Sequence, residues 1–226
     1  MFDPNGPVLL ISALQRELPP PDGPLRDVRM IAGGVGRRRA EATTADAIGW
    51  LKPRLVVSIG YCGGLDPALK TGDVATADAI LAPDGTRYVA EPLGEPAVTL
   101  ATVDRPLLTA TDKAALRKRT GAAVVDMEAS GVAEACAEAG VPFAAVKVVT
   151  DAAGDDLPAG LEPFLRFAAG EGSIARCAGA LLRRPTLVGD LLRLAATSRR
   201  CSANLAAYLT NALPAHAPPS GDGEPG

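Results

Sequence analysis

Residues 122–151 read AAVVDMEASGVAEACAEAGVPFAAVKVVTD. An apolar, β-branched run over 122–127 gives way to an alanine-rich stretch of helical periodicity over 128–139. Gly140 stands where a helix is expected to end, Pro142 follows it, and a second apolar run covers 143–150. A strand, a helix and a second strand in succession predict an α/β fold with a mostly parallel sheet. Both runs also finish on acids. Asp126 and Glu128 straddle Met127, and Asp151 closes the second run. A strand leaving a core needs no carboxylate at its exit, so two such exits predict acids aimed at one place.

The same pattern extends outward. Further apolar runs lie at 7–13, 28–32, 55–60 and 74–81, and further helical segments at 38–51 and 111–120. No internal repeat is visible. The expected organisation is one domain, with an α/β core over 1–160, helices over 161–213 completing it, and a disordered Pro/Gly-rich tail over 214–226. PPPDGP at 19–24 reads as a loop.

Composition narrows the chemistry. A net charge of −3 does not suit a nucleic-acid binder. The N-terminal apolar run is too short for a signal peptide or membrane span, so a cytoplasmic location is expected. Cys62, Cys136, Cys177 and Cys201 are scattered without a CxxC pair, which argues against zinc and disulfide frameworks. His216, the single histidine, lies in the tail. Acid-base work therefore falls to carboxylates or backbone, and neither a metal nor a cofactor is expected.

Residues 161–213 show no strand signal and are predicted as two helices broken at Pro185, with Thr186 as the cap of the second. Leu187, Leu191, Leu194, Ser198, Cys201, Leu205 and Tyr208 follow at steps of four and three, while Arg193 and Arg200 take the opposite face. A helix packed on the body with a solvated basic face is the plain reading. A membrane-surface helix is the sharper one.

Three glycine-rich turns are predicted after strands: AGGVG at 32–36, GYCGG at 60–64, and DAAGD at 151–155. Glycine there lets backbone approach a ligand, and in α/β sheets the carboxyl ends of strands form the ligand crevice. That rim would gather Gly34, Gly63, Gly64, Glu128 and Asp151. ISALQRE adds Glu17 after the first run.

These residues carry a resemblance. VVDMEASGVAEACAEAGVPFAAVKVVTDAAG and IGYCGGLDPALKTGDVATADAI resemble the signature blocks of the nucleoside phosphorylase/nucleosidase family, whose members cleave N-glycosidic bonds. The likeness covers roughly residues 8 to 155. It implies that Glu128 binds the ribose hydroxyls, that Met127 packs beneath the sugar, and that Asp151 protonates purine N7. Asp126, Thr150, Tyr61, Gly34, Gly63 and Gly64 join the substrate-binding set. Phosphorolytic members hold phosphate with arginines, one in a GDPxR-like turn that this chain lacks. Hydrolytic members place a glutamate after the first strand to hold water, and Glu17 matches it. Arg37, Arg38 and Arg39 beside the first glycine turn keep phosphate open as the nucleophile.

Tyr61 stands where the common nucleosidases carry a small residue, and the segment before MEA is too short to supply their base-stacking aromatic. The short loop, TDKAALRKRTGA and the basic C-terminal helices are most like the hopanoid-associated branch. This implies removal of adenine from adenosylhopane, a substrate held at the inner face of a membrane. A soluble nucleoside (methylthioadenosine, S-adenosylhomocysteine or futalosine) is the alternative, and a non-catalytic nucleoside-binding or membrane-associated protein a third reading. By resemblance, a homo-oligomer is expected.

Overall fold

The computed structural model describes residues 3–20, 25, 27–168, 170 and 172–213 of the chain. The tail expected over 214–226, with His216, and most of the loop expected over 19–24 lie outside the described residues.

Among the described residues, the eight strands are β1 (Val8–Ser12), β2 (Val28–Ala32), β3 (Leu55–Gly64), β4 (Val74–Leu81), β5 (Arg87–Val89), β6 (Ala97–Thr102), β7 (Val124–Asp126) and β8 (Phe143–Asp151). The helices are α1 (Arg37–Leu51), α2 (Ala110–Thr120), α3 (Ala129–Ala139), α4 (Glu162–Ala168), α5 (Ile174–Arg183) and α6 (Leu187–Ala212). Strands β2, β1, β3 and β8 lie side by side and parallel. The sheet then closes on itself: β8 pairs antiparallel with β4, β4 and β7 both flank β6 in parallel, and β7 returns antiparallel to β3. The result is the mostly parallel, mixed α/β sheet expected from the sequence.

Burial on both faces explains the continuous apolar runs. Leu9, Val56 and Ala145 point to α1 and α3, whereas Leu10, Val57 and Ala144 point to α6. Gly140 ends α3 in the left-handed conformation, φ 65°, as its sequence context predicts.

Three expectations change. GYCGG is no turn, because β3 runs on through Gly64, and its two last glycines pair with Val125 and Val124 of β7. The register shifts between Cys62 and Gly63 as the strand changes partners. Strands β5 and β6 have no counterpart in the sequence reading. Finally, the C-terminal region holds three helices, because the chain also breaks around Gly170 (φ 73°) and Gly172. Thr186 stands at the N-cap of α6 as expected, but with helical backbone angles and no side-chain cap bond; its hydroxyl accepts from Arg184 Nε instead.

Helix α6 packs on the body through Leu187, Cys201, Leu205, Leu209 and Leu213. Tyr208 adds a hydrogen bond from its hydroxyl to Leu93 O. Among the described residues, no helix is long and apolar enough to cross a membrane.

Candidate active site

The ends of β3, β7 and β8 and a single 3-10 turn after β1 (Gln15–Glu17) surround one cavity of about 910 Å³. Glu17, Tyr61, Gly63, Asp126, Met127, Glu128, Thr150 and Asp151 all line it. Gly34 and Gly64 do not, and each has another task. The ideal Cβ of Gly34 would stand 3.2 Å from the Arg39 side chain, and that of Gly64 3.3 Å from Asp151 O.

Glu17 is 4% exposed, and its Oε2 accepts from Ala13 N and Leu14 N, both at 3.0 Å. It sits against Gly60, where φ is 135° and a Cβ would come within 2.9 Å of Oε2, so only glycine fits beneath the acid. Burial pushes the Glu17 carboxyl up, against the opposing pull of the Leu14 amide and Lys147.

Glu128 occupies the N-cap position of α3. Its Oε1 accepts from Gly36 N at 2.8 Å and its Oε2 from Met127 N at 3.3 Å. The AGGVG turn therefore holds this carboxylate through Gly36 and also lends Val35 to the lining. Burial first, and the negative charge of Asp126 second, push Glu128 up to about 7.

Asp126 belongs to the lining, but its carboxylate is engaged within the protein. Its side chain has 0% exposure, and its oxygens accept from Lys147 Nζ at 2.9 Å, Ala129 N at 2.9 Å and Thr102 Oγ1 at 2.8 Å. With those bonds made it anchors the start of α3, and so the placement of Glu128. Lys147 lies within β8 at 2% exposure. Burial disfavours its charge, but Asp126, Glu128 and Glu17 outweigh that and hold it above the usual lysine value.

Asp151 has a partner that sequence reading missed. Its Oδ2 meets Lys113 Nζ of α2 at 2.5 Å, and Thr150 Oγ1 donates to its Oδ1 at 2.9 Å. Room for the carboxyl comes from Gly63, whose Cβ would be 3.2 Å from Oδ2. Tyr61 couples this floor to α6, its hydroxyl lying 2.7 Å from Ser202 Oγ and 3.3 Å from Ser198 O.

The apolar wall of the cavity comes from other segments, which also carry the lining residues Asp104, Arg105, Glu162 and Arg166. Leu107, Leu157, Phe164, Leu165, Leu191 and Leu194 come from the 103–108 loop, the segment after β8, α4 and the first half of α6. Phe164 brings an aromatic ring to the cavity from a region where none was sought. None of Arg37, Arg38 and Arg39 lines the cavity, and Arg37 pairs with Glu134 at 2.8 Å. Arg16, Arg105 and Arg166 do line it. Among the described residues, no group of three or more His, Cys, Asp or Glu side chains is placed to hold a metal ion.

A family model described as the phosphorylase superfamily matches residues 24–98 and 95–182. A 5′-methylthioadenosine/S-adenosylhomocysteine nucleosidase of Marinomonas sp. (strain MWYL1) is 28% identical, the match covering 66% of this chain and 78% of that protein. The same-named protein of Staphylococcus aureus (strain MRSA252) is 26% identical over 64% of this chain and 77% of its own length. Among solved structures, the futalosine hydrolase of Helicobacter pylori superposes with a TM-score of 0.68 at 15% identity, covering 93% of this chain and 98% of the other. A nucleosidase of Colwellia psychrerythraea in complex with adenine gives 0.60 at 21% identity, covering 80% and 98%.

Proposed function

The chain belongs to the phosphorylase superfamily, and on that premise we propose that it is a purine nucleosidase that releases adenine from an adenosyl substrate by hydrolysis. The observation that carries this reading is the convergence of Glu17, Glu128 and Asp151 on one cavity. Ionised Glu128 accepts hydrogen bonds from the ribose diol. Met127 packs under the sugar. Glu17, made more basic by burial, takes a proton from the attacking water as its oxygen bonds to C1′. The C1′–N9 bond breaks with its electron pair leaving on the base, and Asp151 delivers a proton to N7. Water is the favoured nucleophile because Glu17 lies in the cavity with its carboxyl held by the Ala13 and Leu14 amides, as a base for water requires.

The finer reading is that the substrate is adenosylhopane, cleaved to ribosylhopane and adenine. The apolar wall supports it, since burying each methylene of an attached hydrocarbon contributes about 0.8 kcal/mol. So does the outer surface of the C-terminal helices. Ile174, Leu182, Val188 and Leu192 are exposed there beside exposed Arg176, Arg183, Arg184 and Arg193, a composition suited to an anionic membrane surface. The runner-up is a soluble adenosyl nucleoside, favoured by the names of the relatives.

Adenine release from adenosylhopane and methylthioadenosine, with sedimentation on anionic liposomes, separates the two. Lipid turnover with liposome binding supports the finer reading. Efficient turnover of the soluble nucleoside without liposome binding hands the case to the runner-up.

A further inference from the structure

Resting on the nucleosidase reading, we propose that Lys113 is a positioning residue for the proton donor: it pins one oxygen of Asp151 so that the other carries the proton to the leaving base. Lys113 belongs to α2, a helix whose other lysine and arginines, Arg117, Lys118 and Arg119, lie near its end. Its residue exposure is only 1%, although a lysine in this helix has a solvated face within reach. Burying an ammonium is strongly unfavourable unless its protons are matched. Here all three are: Asp151 Oδ2 at 2.5 Å, Ala152 O at 2.7 Å and Asp155 O at 3.0 Å. The two carbonyls belong to the turn that follows Asp151. Lys113 therefore ties the acid and its turn to α2 at one point, and it does so in the lining of the cavity.

The other oxygen of Asp151 is arranged differently. Oδ1 lies 2.9 Å from Thr150 Oγ1, and that hydroxyl also lies 3.2 Å from Cys62 O. A hydroxyl has one hydrogen. When Thr150 donates to Oδ1, Asp151 is the carboxylate. When Thr150 turns its hydrogen to the Cys62 carbonyl, which can only accept, its oxygen is free to receive a hydrogen borne by Oδ1, and Asp151 is the acid. Thr150 thus accommodates both proton states at Oδ1, while Lys113 occupies Oδ2 in both. Among the described residues the other buried lysine, Lys147, meets an acid that also has a threonine hydroxyl beside it (Thr102), but the Asp126 side chain is sealed at 0% exposure, against 13% for Asp151.

The test uses a leaving group that needs no proton. A nucleoside methylated at N7 carries a cationic base, which departs without protonation. Whichever of methylthioadenosine and adenosylhopane the wild type turns over is compared with its N7-methylated form on the same preparations of wild type, Lys113→Met and Lys113→Gln. The expected result is a loss of about 100-fold on the ordinary substrate and a far smaller loss on the methylated one. The ratio of the two rates is independent of how much of a preparation is folded, and Lys113→Gln fills the space should Lys113→Met fold poorly. Equal losses on both substrates, or no loss on either, would overturn the proposal. Wild type that releases base from neither nucleoside would sink the nucleosidase reading, and this proposal with it.

Discussion

On the floor of the cavity, Glu17, Glu128 and Asp151 are each held by two partners: backbone amides for the first two, a lysine and a hydroxyl for the third. The apolar wall is made of half-buried leucines and one phenylalanine drawn from four separate segments. The floor rests on strands shared with the main core, and each of its three acids has named hydrogen-bond or ion-pair partners. The wall packs mainly through apolar side chains, with a backbone hydrogen bond from Leu157 N to Leu108 O at 2.8 Å. The difference teaches a division of labour. The floor is the less tolerant of the two because its carboxylates are held in place by specific donors. The wall decides what hangs from the sugar, and it can be altered without touching the bond that breaks.

The contrast is broken most severely at Asp151. Asp151→Asn keeps the shape but cannot deliver the same proton, so kcat should fall about 10²–10⁴-fold in a base-release assay. The same change removes the counter-ion of buried Lys113, so the melting temperature should fall as well. Wild-type turnover by this variant would remove Asp151 from the mechanism.

Next comes the sealed pair beneath the site. Lys147→Met leaves Asp126 buried without its cation and should cost about 3–5 kcal/mol in denaturant unfolding. A cost under about 1 kcal/mol would show that charge matching does not hold the floor together.

The third effect follows pH. The unfolded Glu128 carboxyl titrates near 4.5 and the folded one near 7. Between those values the folded state binds the extra proton. Its contribution is therefore fully present below pH 4.5 and is lost as pH rises through about 7, a change of at most about 3 kcal/mol. Chemical denaturation of the free protein should show stability falling over this window, and Glu128→Gln should flatten it. Binding runs the other way, because the diol needs the ionised form. The acidic limb of kcat/KM should thus lie near 7, and an unchanged limb in an active Glu128→Gln variant would contradict that role.

The smallest effect belongs to the wall. Phe164→Ala or Leu194→Ala should raise KM for a substrate with an apolar 5′ group, by about 1–3 kcal/mol in binding, with kcat unchanged and adenosine itself little affected. A drop in kcat for both substrates would mean that wall and floor are not separable.

How much of this was legible in sequence follows the same division. Glu128, Asp151 and Glu17 could be placed because each ends or follows an apolar run, and strand ends converge in α/β folds. Lys147 left a readable trace: a lysine amid FAAVKVV has to be buried, and buried ammonium needs an anion. Lys113 left none, since TDKAAL reads as an ordinary exposed helix and its partners lie 38 residues and more away in the chain. Asp126 reads like Glu128 until packing shows its carboxylate sealed against Lys147, Ala129 and Thr102, although both residues border the cavity. GYCGG reads as a turn because glycines break strands in isolation, yet here they let a strand bend while changing partners. The wall was illegible for a simpler reason. Apolar side chains at helical spacing look alike whether they face a core or a cavity, and Leu191 and Leu194 share one stripe with Leu187 and Leu205.

The central claim, that the floor activates water against an N-glycosidic bond, is tested most directly by incubating the wild type with an adenosyl substrate in phosphate-free buffer. The account predicts adenine and a free reducing sugar in equal amounts, at a rate that added phosphate does not change. No release without phosphate, and a sugar 1-phosphate as product when it is supplied, would contradict it.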